Sequence, residues 1–400
     1  MNKCISSDIR YIGVDDLDLD LFESQYIVPE GMSYNSYLIL DEKVAVMDTV
    51  DARKGEEWLS RLEEALGGRK PDYLVVHHME PDHAGSILAL TRKYPDVRIV
   101  ATAKALVFLG QFFEGEAFNT LAVKEGDTLE LGSHTLQFIT APMVHWPEVM
   151  MTYDSTDGIL FSADAFGLFG ALNGRLFADE TDFFAEHLNE ARRYYTNIVG
   201  KYGPQVQNVL KKAASLDIKL VCPLHGFVWR SGFGEFLEKY KLWSSYTPEE
   251  NSVMIAYASV YGHTENAANI LAVKLAEKGV RVRMHDTSVI PASNIVSDAF
   301  RCSHLVFAAT TYNAGVFVTM ENLLHDIAAH NLQNRKVALI ENGSWASMSG
   351  KAMREILSGL KKIEYVGDGI TLKSALAEGQ DAELEALADA LAADILSPAV

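Results

Sequence analysis

The residues best suited to chemistry in this chain are four metal-binding types within the stretch H-M-E-P-D-H: His78, Glu80, Asp82 and His83. Three more candidates follow at long intervals, namely His145, Asp164 and His225. Imidazole nitrogens suit iron, zinc and copper, and carboxylates are hard oxygen donors. Since one carboxylate such as Asp164 can bridge two metals, the pattern predicts a dinuclear metal site.

The residue at position 80 distinguishes two kinds of metal. A histidine there would complete H-x-H-x-D-H, a pattern that indicates a hydrolase with two zinc ions. Glu80 adds a hard, anionic donor instead, which favours iron and therefore redox chemistry. The chain contains no C-x-x-C pair, which argues against a fused thiolate iron or zinc module.

Each candidate ligand lies just beyond a predicted strand. His78 follows the apolar run 73–76, His145 follows 138–142, Asp164 follows 159–161, and His225 follows 220–221. Residues at strand ends in layered α/β folds converge on one rim of the sheet. We therefore expect these side chains to meet. The neighbouring His77 points to the opposite strand face, so we predict a structural role for it.

A second constellation lies in the turn after the predicted strand 253–258. Its residues are Ser259, Val260, Tyr261, Gly262, His263 and Thr264. Hydroxyls, a glycine and a helix N-terminus converge there, and such a loop binds phosphate through backbone N–H groups and the helix dipole. No lysine follows the glycine, so this is not a nucleoside-triphosphate loop. The pattern suits the phosphate of flavin mononucleotide (FMN).

Two further loops follow later strands of the same half and are predicted to contact the flavin. Their candidate residues are Thr311, Tyr312, Asn313, Ala314, Gly343, Ser344, Trp345 and Ala346. Tyr312 and Trp345 could flank the isoalloxazine ring. The alternative for either aromatic ring taken alone is packing at the protein surface.

The elements that must position these residues fall into two predicted domains, residues 1–248 and 252–400, joined by a polar stretch that contains proline. In the second domain, short apolar strands alternate with amphipathic helices, which predicts a doubly wound parallel sheet of flavodoxin-like order. The first domain is more mixed, and a two-sheet sandwich with outer helices fits it. One continuous helix is predicted at 181–199, and the acidic run 15–23 is predicted to be a solvated edge.

The net charge, apolar stretches and cysteines limit the partners and the location that we expect for this protein. The formal net charge of −19 argues against nucleic acid and anionic membranes, because both are polyanions. The first ten residues contain no signal-like apolar stretch, and no segment approaches the ~20 apolar residues of a membrane span. Three scattered cysteines do not make a disulfide framework. We therefore expect a cytoplasmic protein.

Taken together, these motifs resemble the flavodiiron proteins over the whole chain. The family pattern H-x-E-x-D-H, then His, Asp and His, matches all seven candidates. The resemblance implies a metallo-β-lactamase-like αββα domain followed by a flavodoxin-like domain. One iron would take His78, Glu80 and His145. The other would take Asp82, His83 and His225, with Asp164 bridging, although some members leave the position of His83 unligated.

The resemblance also implies an activity and partners. The family reduces O2 to water, NO to N2O, or both, at a diiron centre that receives electrons through FMN. The resemblance implies no catalytic residue beyond the metal ligands. The donor would be a rubredoxin-like protein or a reduced deazaflavin cofactor, and the assembly a head-to-tail homodimer, possibly a tetramer.

Two alternatives stay open on the sequence. One is a zinc-dependent metallo-hydrolase fused to a flavodoxin-like domain, against which Glu80 argues. The other is a flavin electron-transfer or sensor protein whose metal site is only structural. A complete ligand set argues against it, since buried carboxylates without a metal are costly.

Overall fold

The computed structural model describes residues 3–397, which form two compact units. One unit runs to Tyr195 and includes Pro204–Leu237; the other contains Thr196–Gly203 and the chain from Glu238 onward. The predicted domain limits, 1–248 and 252–400, differ from this division in assigning both 196–203 and 238–248 to the first domain. They remain a proposal about where each domain begins and ends.

The first unit is built on two β-sheets. The larger sheet has the strand order Lys3–Cys4, Ile9–Tyr11, Tyr37–Leu40, Val44–Met47, Tyr73–Val75, Arg98–Thr102, Thr120–Val123. The smaller has the order Thr128–Glu130, Thr135–Thr140, Met150–Asp154, Ile159–Phe161, Leu220–Cys222. Two short hairpins pair Val14–Asp16 with Met32–Tyr34 and Leu21–Phe22 with Tyr26–Ile27.

Side chains from the two sheets meet in a shared core. The ring of Tyr37, from the larger sheet, lies 5.4 Å from that of Phe161, from the smaller sheet. His77 reaches across as well, with Nε2 2.7 Å from the hydroxyl of Thr152 and Nδ1 bonded to Asp48. This is the structural role predicted for His77. The arrangement confirms the sandwich and the metallo-β-lactamase-like class.

Helices complete the first part of the chain. Their bounds are Gly55–Leu66, Pro81–Ala84, Ile87–Lys93, Ala103–Phe112, Phe183–Glu186, Leu188–Tyr194, Gly203–Ala213 and Phe233–Ser244. Gly55–Leu66 is amphipathic: Trp58, Leu62 and Leu66 recur at intervals of four and are buried, while its glutamates face solvent. The helix ends at Gly67, whose φ of 57° favours glycine.

The second unit contains a parallel sheet. Its strand order is Val282–Asp286, Glu250–Ala258, Cys302–Tyr312, Arg335–Asn342, with Ile363–Tyr365 and Ile370–Leu372 both pairing with the last of these. A short strand, Gly315–Val316, folds back on Cys302–Tyr312. This is the flavodoxin-like order that was predicted, and the fold class is confirmed.

Both faces of this sheet are covered, which explains the apolar strands. Val253 and Ile255 pack in one core with residues of the helices His263–Glu277 and Asp381–Leu396. Met254 and Ala256, on the alternate face, pack in a second core. That core includes residues from the helices Ala292–Arg301, Val318–Ala329 and Ser349–Leu357. Because successive side chains point to opposite faces, a strand buried on both sides must be apolar at nearly every position.

Two sequence predictions were wrong in detail. The single helix predicted over 181–199 is broken at His187, which leaves helical geometry where its ring packs 4.8 Å from Phe227; Tyr195–Val199 is then π-helical. The acidic run 15–23 is not simply a solvated edge. Asp16 is buried, where Lys54 Nζ lies 3.3 Å from it, and Phe22 is buried against Phe169. Buried carboxylates need such partners.

Among residues 3–397, no helix has the length and apolar character that crossing a membrane requires.

Candidate metal centre and flavin pocket

A proline sets the local geometry of the first ligand group. The chain leaves the strand Tyr73–Val75, remains extended at Glu80, and turns into a single helical turn, Pro81–Ala84. Proline is favoured at the first helical position because its φ is already helical and it has no N–H to leave unpaired. The N–H of Ala84 donates to the carbonyl of Glu80 at 2.8 Å. The turn thereby places Glu80, Asp82 and His83 close together.

Four side chains from three separate segments surround one position. His78 Nε2 and His145 Nε2 each lie 3.1 Å from Glu80 Oε2. The same two nitrogens lie 3.3 and 3.4 Å from Asp164 Oδ2. Four donor atoms thus converge from residues up to 86 positions apart, and could hold one metal ion.

A second position is surrounded in the same way. His225 Nε2 and His83 Nε2 lie 3.1 and 3.2 Å from Asp82 Oδ2. His83 Nε2 is also 3.1 Å from Asp164 Oδ1 and from His225 Nε2. These residues form a second group that could hold a metal ion. The structure therefore brings together all seven metal-ligand candidates that the sequence predicted.

Asp164 lies between the two groups. Its Oδ2 faces His78 and His145, and its Oδ1 faces His83. It follows the strand Ile159–Phe161, and the preceding Ala163 has a φ of 52°, a strained conformation for a residue other than glycine. A carboxylate in this position can offer one oxygen to each of two metal ions.

Two hydrogen bonds orient the imidazoles. His78 Nδ1 is bonded to Glu148 Oε1 at 2.7 Å, and the N–H of Met79 donates to the same oxygen. His225 Nδ1 donates to the carbonyl of Ser33 at 2.7 Å. With its Nδ1 proton engaged, each ring directs the Nε2 lone pair into the cluster, which is how metal-binding histidines are usually fixed.

Glu148 and Ser33 were missed by the sequence reasoning. Glu148 lies three residues beyond His145, but no spacing rule separates it from other glutamates. Ser33 contributes through its backbone, which leaves no signature in the side-chain pattern.

The charges of the cluster are strongly coupled. Burial opposes protonation of His83, but Asp82 and Asp164 outweigh it and raise the pKa of His83 to about 9. For His145, Asp164 and Glu80 likewise outweigh burial and raise its pKa to about 9. Although burial acts the other way, the imidazoles hold the pKa of Asp164 well below its usual range. The site therefore favours positive charge between its carboxylates.

The carboxylate oxygens at the centre of the cluster suit a bound metal cation better than protons alone. Both oxygens of Asp82 and both of Asp164 are buried and make no hydrogen bond of normal geometry among the described residues, although imidazole nitrogens lie 3.1–3.4 Å from three of them. The Nε2 atoms of His83 and His225 also face one another at 3.1 Å. Buried anionic oxygens of this kind are found paired or bound to metals. The donor set of four imidazoles and three carboxylates fits a pair of iron ions.

A cavity of about 270 Å³ opens onto the cluster, with one residue of each ligand group in its wall. Its wall includes Glu80 and Asp82, together with Phe22, Tyr34 and Arg53. The ring of Phe22 lies 5.5 Å edge-on from that of His225. This cavity has room for a diatomic molecule beside Glu80 and Asp82.

The predicted phosphate loop has the geometry that anion binding requires. The strand Glu250–Ala258 ends, and the helix His263–Glu277 begins directly after Gly262. Gly262 has a φ of 85°, which only glycine adopts readily, and its N–H donates to Ser259 Oγ at 3.1 Å. The first turn of the helix therefore presents free N–H groups to the loop.

The three predicted loops form one pocket of about 370 Å³. Of the predicted flavin contacts, those lining it are Ser259, Val260, Tyr261, His263, Thr264, Thr311, Tyr312, Asn313, Ala314, Gly343, Ser344, Trp345 and Ala346. Gly262 forms the turn beneath them. Trp345 and Tyr261 are almost fully exposed, at 94% and 90%, and Tyr312 is half exposed. Flat rings on open loops of this kind can cover a flavin ring.

Three residues that line the pocket were not among the predicted flavin contacts: Thr310, Asn342 and Ser374, although the first two stand in the predicted loops. Thr310 and Asn342 form the last pair in register between the strands Cys302–Tyr312 and Arg335–Asn342. A strand-end rule would have found these two. Ser374 lies in a loop whose sequence has no motif.

Comparison with known proteins gives the same division of the chain. Residues 32–226 match the family described as ODP family beta lactamase, and residues 255–391 match the flavodoxin family. The nitric oxide reductase of Moorella thermoacetica is 30% identical, and the match covers 91% of this chain and 91% of that protein. The anaerobic nitric oxide reductase flavorubredoxin of Vibrio vulnificus is 30% identical over 85% of this chain and 70% of its own length.

Solved structures agree over nearly the full length. Rubredoxin oxygen:oxidoreductase from the anaerobe Desulfovibrio gigas superposes with a TM-score of 0.93 at 27% identity, covering 99% of this chain and 98% of that one. The flavodiiron protein from Giardia intestinalis gives 0.94 at 27% identity, covering 99% and 97%.

A histidine–carboxylate cluster in a metallo-β-lactamase-like unit, followed by a flavodoxin-like unit with a phosphate loop, defines a class of two-domain oxidoreductases. The chain belongs to the flavodiiron protein family.

Proposed function

We propose that this protein reduces O2 to water, NO to N2O, or both, at a diiron site that receives electrons through FMN. The position of Asp164 between two groups of metal-binding residues carries this proposal. O2 reduction takes four electrons and four protons per molecule, and NO reduction takes two of each per pair of molecules. Both reactions therefore need a site that can supply electrons in pairs.

The seven ligand candidates divide into two sets. One iron would be held by His78, Glu80 and His145, the other by Asp82, His83 and His225, with Asp164 shared. When bound, the irons would bind the gas and, with the flavin, supply the electrons for its reduction.

The protein's own residues prepare this site. Glu148 and the Ser33 carbonyl fix the ring orientations of His78 and His225, so little rearrangement is needed on metal binding. Aromatic rings shield the ligands: Trp146 lies 5.0 Å from the His78 ring, and Tyr194 lies 5.5 Å from that of His225. A dry, apolar surround strengthens the electrostatic effect of the carboxylates.

The flavin would bind in the pocket of the second unit. The phosphate would contact the N-terminus of the helix His263–Glu277 and the hydroxyls of Ser259 and Thr264. Tyr312 and Trp345 would lie against the isoalloxazine ring.

Gas consumption measured with an electrode tests this proposal. Chemically reduced wild-type protein should consume O2 or NO under anaerobic handling, and Glu80→Gln should lose this activity while it keeps its yellow flavin. Thr264→Val should show the reverse pattern, with weaker flavin binding and unchanged iron content. Wild-type protein that consumes neither gas when fully loaded would contradict the assignment.

The zinc hydrolase alternative has its own test at position 80. Glu80→His restores the H-x-H-x-D-H pattern, so it should raise the ratio of bound zinc to iron. If wild-type protein and Glu80→His took up the same metals in the same ratio, Glu80 would not select iron.

The proposal extends to the assembly, the electron donor and the cellular compartment. Family resemblance supports a head-to-tail homodimer, with one subunit's flavin near the other's iron site, and a rubredoxin-like donor or a reduced deazaflavin. A monomer with full turnover would contradict the dimer. Cys4, Cys222 and Cys302 are all free thiols, which supports a reducing cytoplasm.

A further inference from the structure

We propose that Asn342 is a positioning residue that directs the hydroxyl of Thr264 toward the flavin phosphate. Asn342 itself need not touch the phosphate. The inference rests on the proposed binding of FMN in this pocket and names a part of its recognition that lies behind the phosphate loop.

Asn342 is placed where three strands meet. It ends the strand Arg335–Asn342, in register with Thr310 on one side and Leu372 on the other. Its side chain is 5% exposed. A buried polar side chain at a strand end needs defined partners, since each donor or acceptor left unpaired away from water is destabilising.

The hydrogen bonds of Asn342 fix the orientation of its amide. Its Nδ2 donates to the carbonyl of Ser374 at 3.0 Å, and its Oδ1 accepts from the N–H of the same residue at 3.1 Å. If the amide were flipped, its oxygen would face the carbonyl oxygen of Ser374 and its NH2 group would face the N–H of Ser374. The second hydrogen of Nδ2 is therefore committed to Thr264 Oγ1, 3.2 Å away.

This bond determines where the Thr264 hydroxyl points. A hydroxyl has one hydrogen to donate, and Thr264 Oγ1 already accepts from Asn342. Its other neighbour is Thr310 Oγ1 at 2.9 Å, which can donate in turn to the carbonyl of Ala258. The Thr264 hydrogen is thus left to donate away from Asn342, either to Thr310 or to an anion in the pocket that Thr264 lines.

A purely structural role for Asn342 makes a different prediction. The loop of Ser374 also reaches the ring side of the pocket, because Ser374 Oγ donates to Ser344 Oγ at 2.8 Å. If Asn342 only held that loop in place, its loss would weaken contacts to the whole flavin. If it acts through Thr264, its loss should weaken contacts to the phosphate alone. Riboflavin has the ring and ribityl chain of FMN but no phosphate, so it separates the two.

The experiment is a titration of full-length, flavin-depleted protein with FMN and with riboflavin, followed by quenching of flavin fluorescence. Asn342→Ala should weaken FMN binding about tenfold, the equivalent of one hydrogen bond to a charged group, and leave riboflavin binding within about twofold. Asn342→Asp, of equal size, turns the Thr264 hydrogen toward itself and should weaken FMN at least as much.

A double-mutant cycle with Thr264→Val tests whether Asn342 acts through Thr264. Because Asn342 acts through Thr264, the double variant Asn342→Ala/Thr264→Val should bind FMN no more weakly than Thr264→Val alone. Asn334→Ala, just before the same strand and away from the pocket, should bind both flavins like wild type and serves as the matched control.

Equal losses for FMN and riboflavin, or additive losses in the cycle, would overturn the inference while leaving the flavin assignment standing. Wild-type protein that binds neither flavin would overturn the flavin assignment, and this inference with it.

Discussion

The ligands of the metal cluster are largely buried, and hydrogen bonds orient the rings of His78 and His225, whereas the flavin pocket is open and rimmed by exposed rings. His78 and Asp164 are 0% and 1% exposed, while Trp345 and Tyr261 are 94% and 90% exposed. The metal site draws single side chains from strand ends far apart in the chain. The pocket instead draws short runs of consecutive residues from loops of one sheet.

The difference follows from what each site would hold. Metal ions need several charged or imidazole donors within about 2 Å, so the protein must gather them and offset their desolvation. A flavin presents a phosphate and a broad flat ring, which backbone N–H groups and mobile aromatic side chains can bind. Changes at the metal cluster should therefore act all-or-none, and changes at the pocket should be graded.

The largest effect is expected from Asp164→Asn, which keeps the size of the residue that faces both ligand groups and removes its charge. An amide cannot serve as an anionic bridge, so iron binding and gas consumption should fall about a thousandfold or more. Iron content and an O2 or NO electrode measure this, with flavin content as the internal reference.

Asp96→Asn, a change at an exposed aspartate of the same unit, is the matched control and should behave like wild type. Retention of full iron content and activity in Asp164→Asn would show that the two ligand groups do not share this carboxylate.

An intermediate effect is expected from Glu148→Gln. One oxygen of Glu148 accepts from both His78 Nδ1 and the N–H of Met79. A glutamine keeps one acceptor oxygen but loses the negative charge that strengthens both bonds, and it adds an amide donor. Loss of a hydrogen bond that orients a metal-binding histidine typically lowers metal affinity 10- to 100-fold. Iron retained after dialysis against a chelator measures the change, and Glu114→Gln at an exposed site is the control. Iron retention equal to wild type would remove Glu148 from the site.

The smallest effect is expected from Gly262→Ala in the phosphate loop. Gly262 has a φ of 85°, and a Cβ there would meet open space, so the variant should fold with a strained loop. We expect FMN binding to weaken about tenfold as the N–H groups shift away from the phosphate.

Gly279 provides a matched control at the other end of the same helix. It has a φ of 82° and equally open surroundings, so Gly279→Ala carries the same backbone strain. Its free energy of unfolding should fall by about 1 kcal/mol, as for Gly262→Ala, with FMN affinity unchanged. Equal loss of FMN affinity in both variants would show that general strain, and not the loop, weakens binding.

The sequence predicted the metal residues well because their types are rare in apolar surroundings and carry their own chemistry. All seven candidates, including His145 and His225, converge as expected from their places at strand ends. The sheet order of the second unit was also predictable, from strands that are apolar on both faces. Each of these signals is local in sequence.

What could not be predicted depends on contacts between distant segments. Glu148 matters only because it meets His78, and Asn342 because it meets Thr264 and Ser374. The burial of Asp16 within an acidic run depends on Lys54, 38 positions away. The helix break at His187 coincides with a contact between its ring and that of Phe227, 40 positions away. Residue type and periodicity do not encode these pairings.

The metal content of the purified protein tests the central claim most directly. Protein produced with both iron and zinc in the medium, analysed by mass spectrometry of its metals, should contain about two iron ions per chain and little zinc. Predominantly zinc, at the same occupancy, would contradict the assignment of Glu80 and Asp164 to an iron site and would favour a hydrolase.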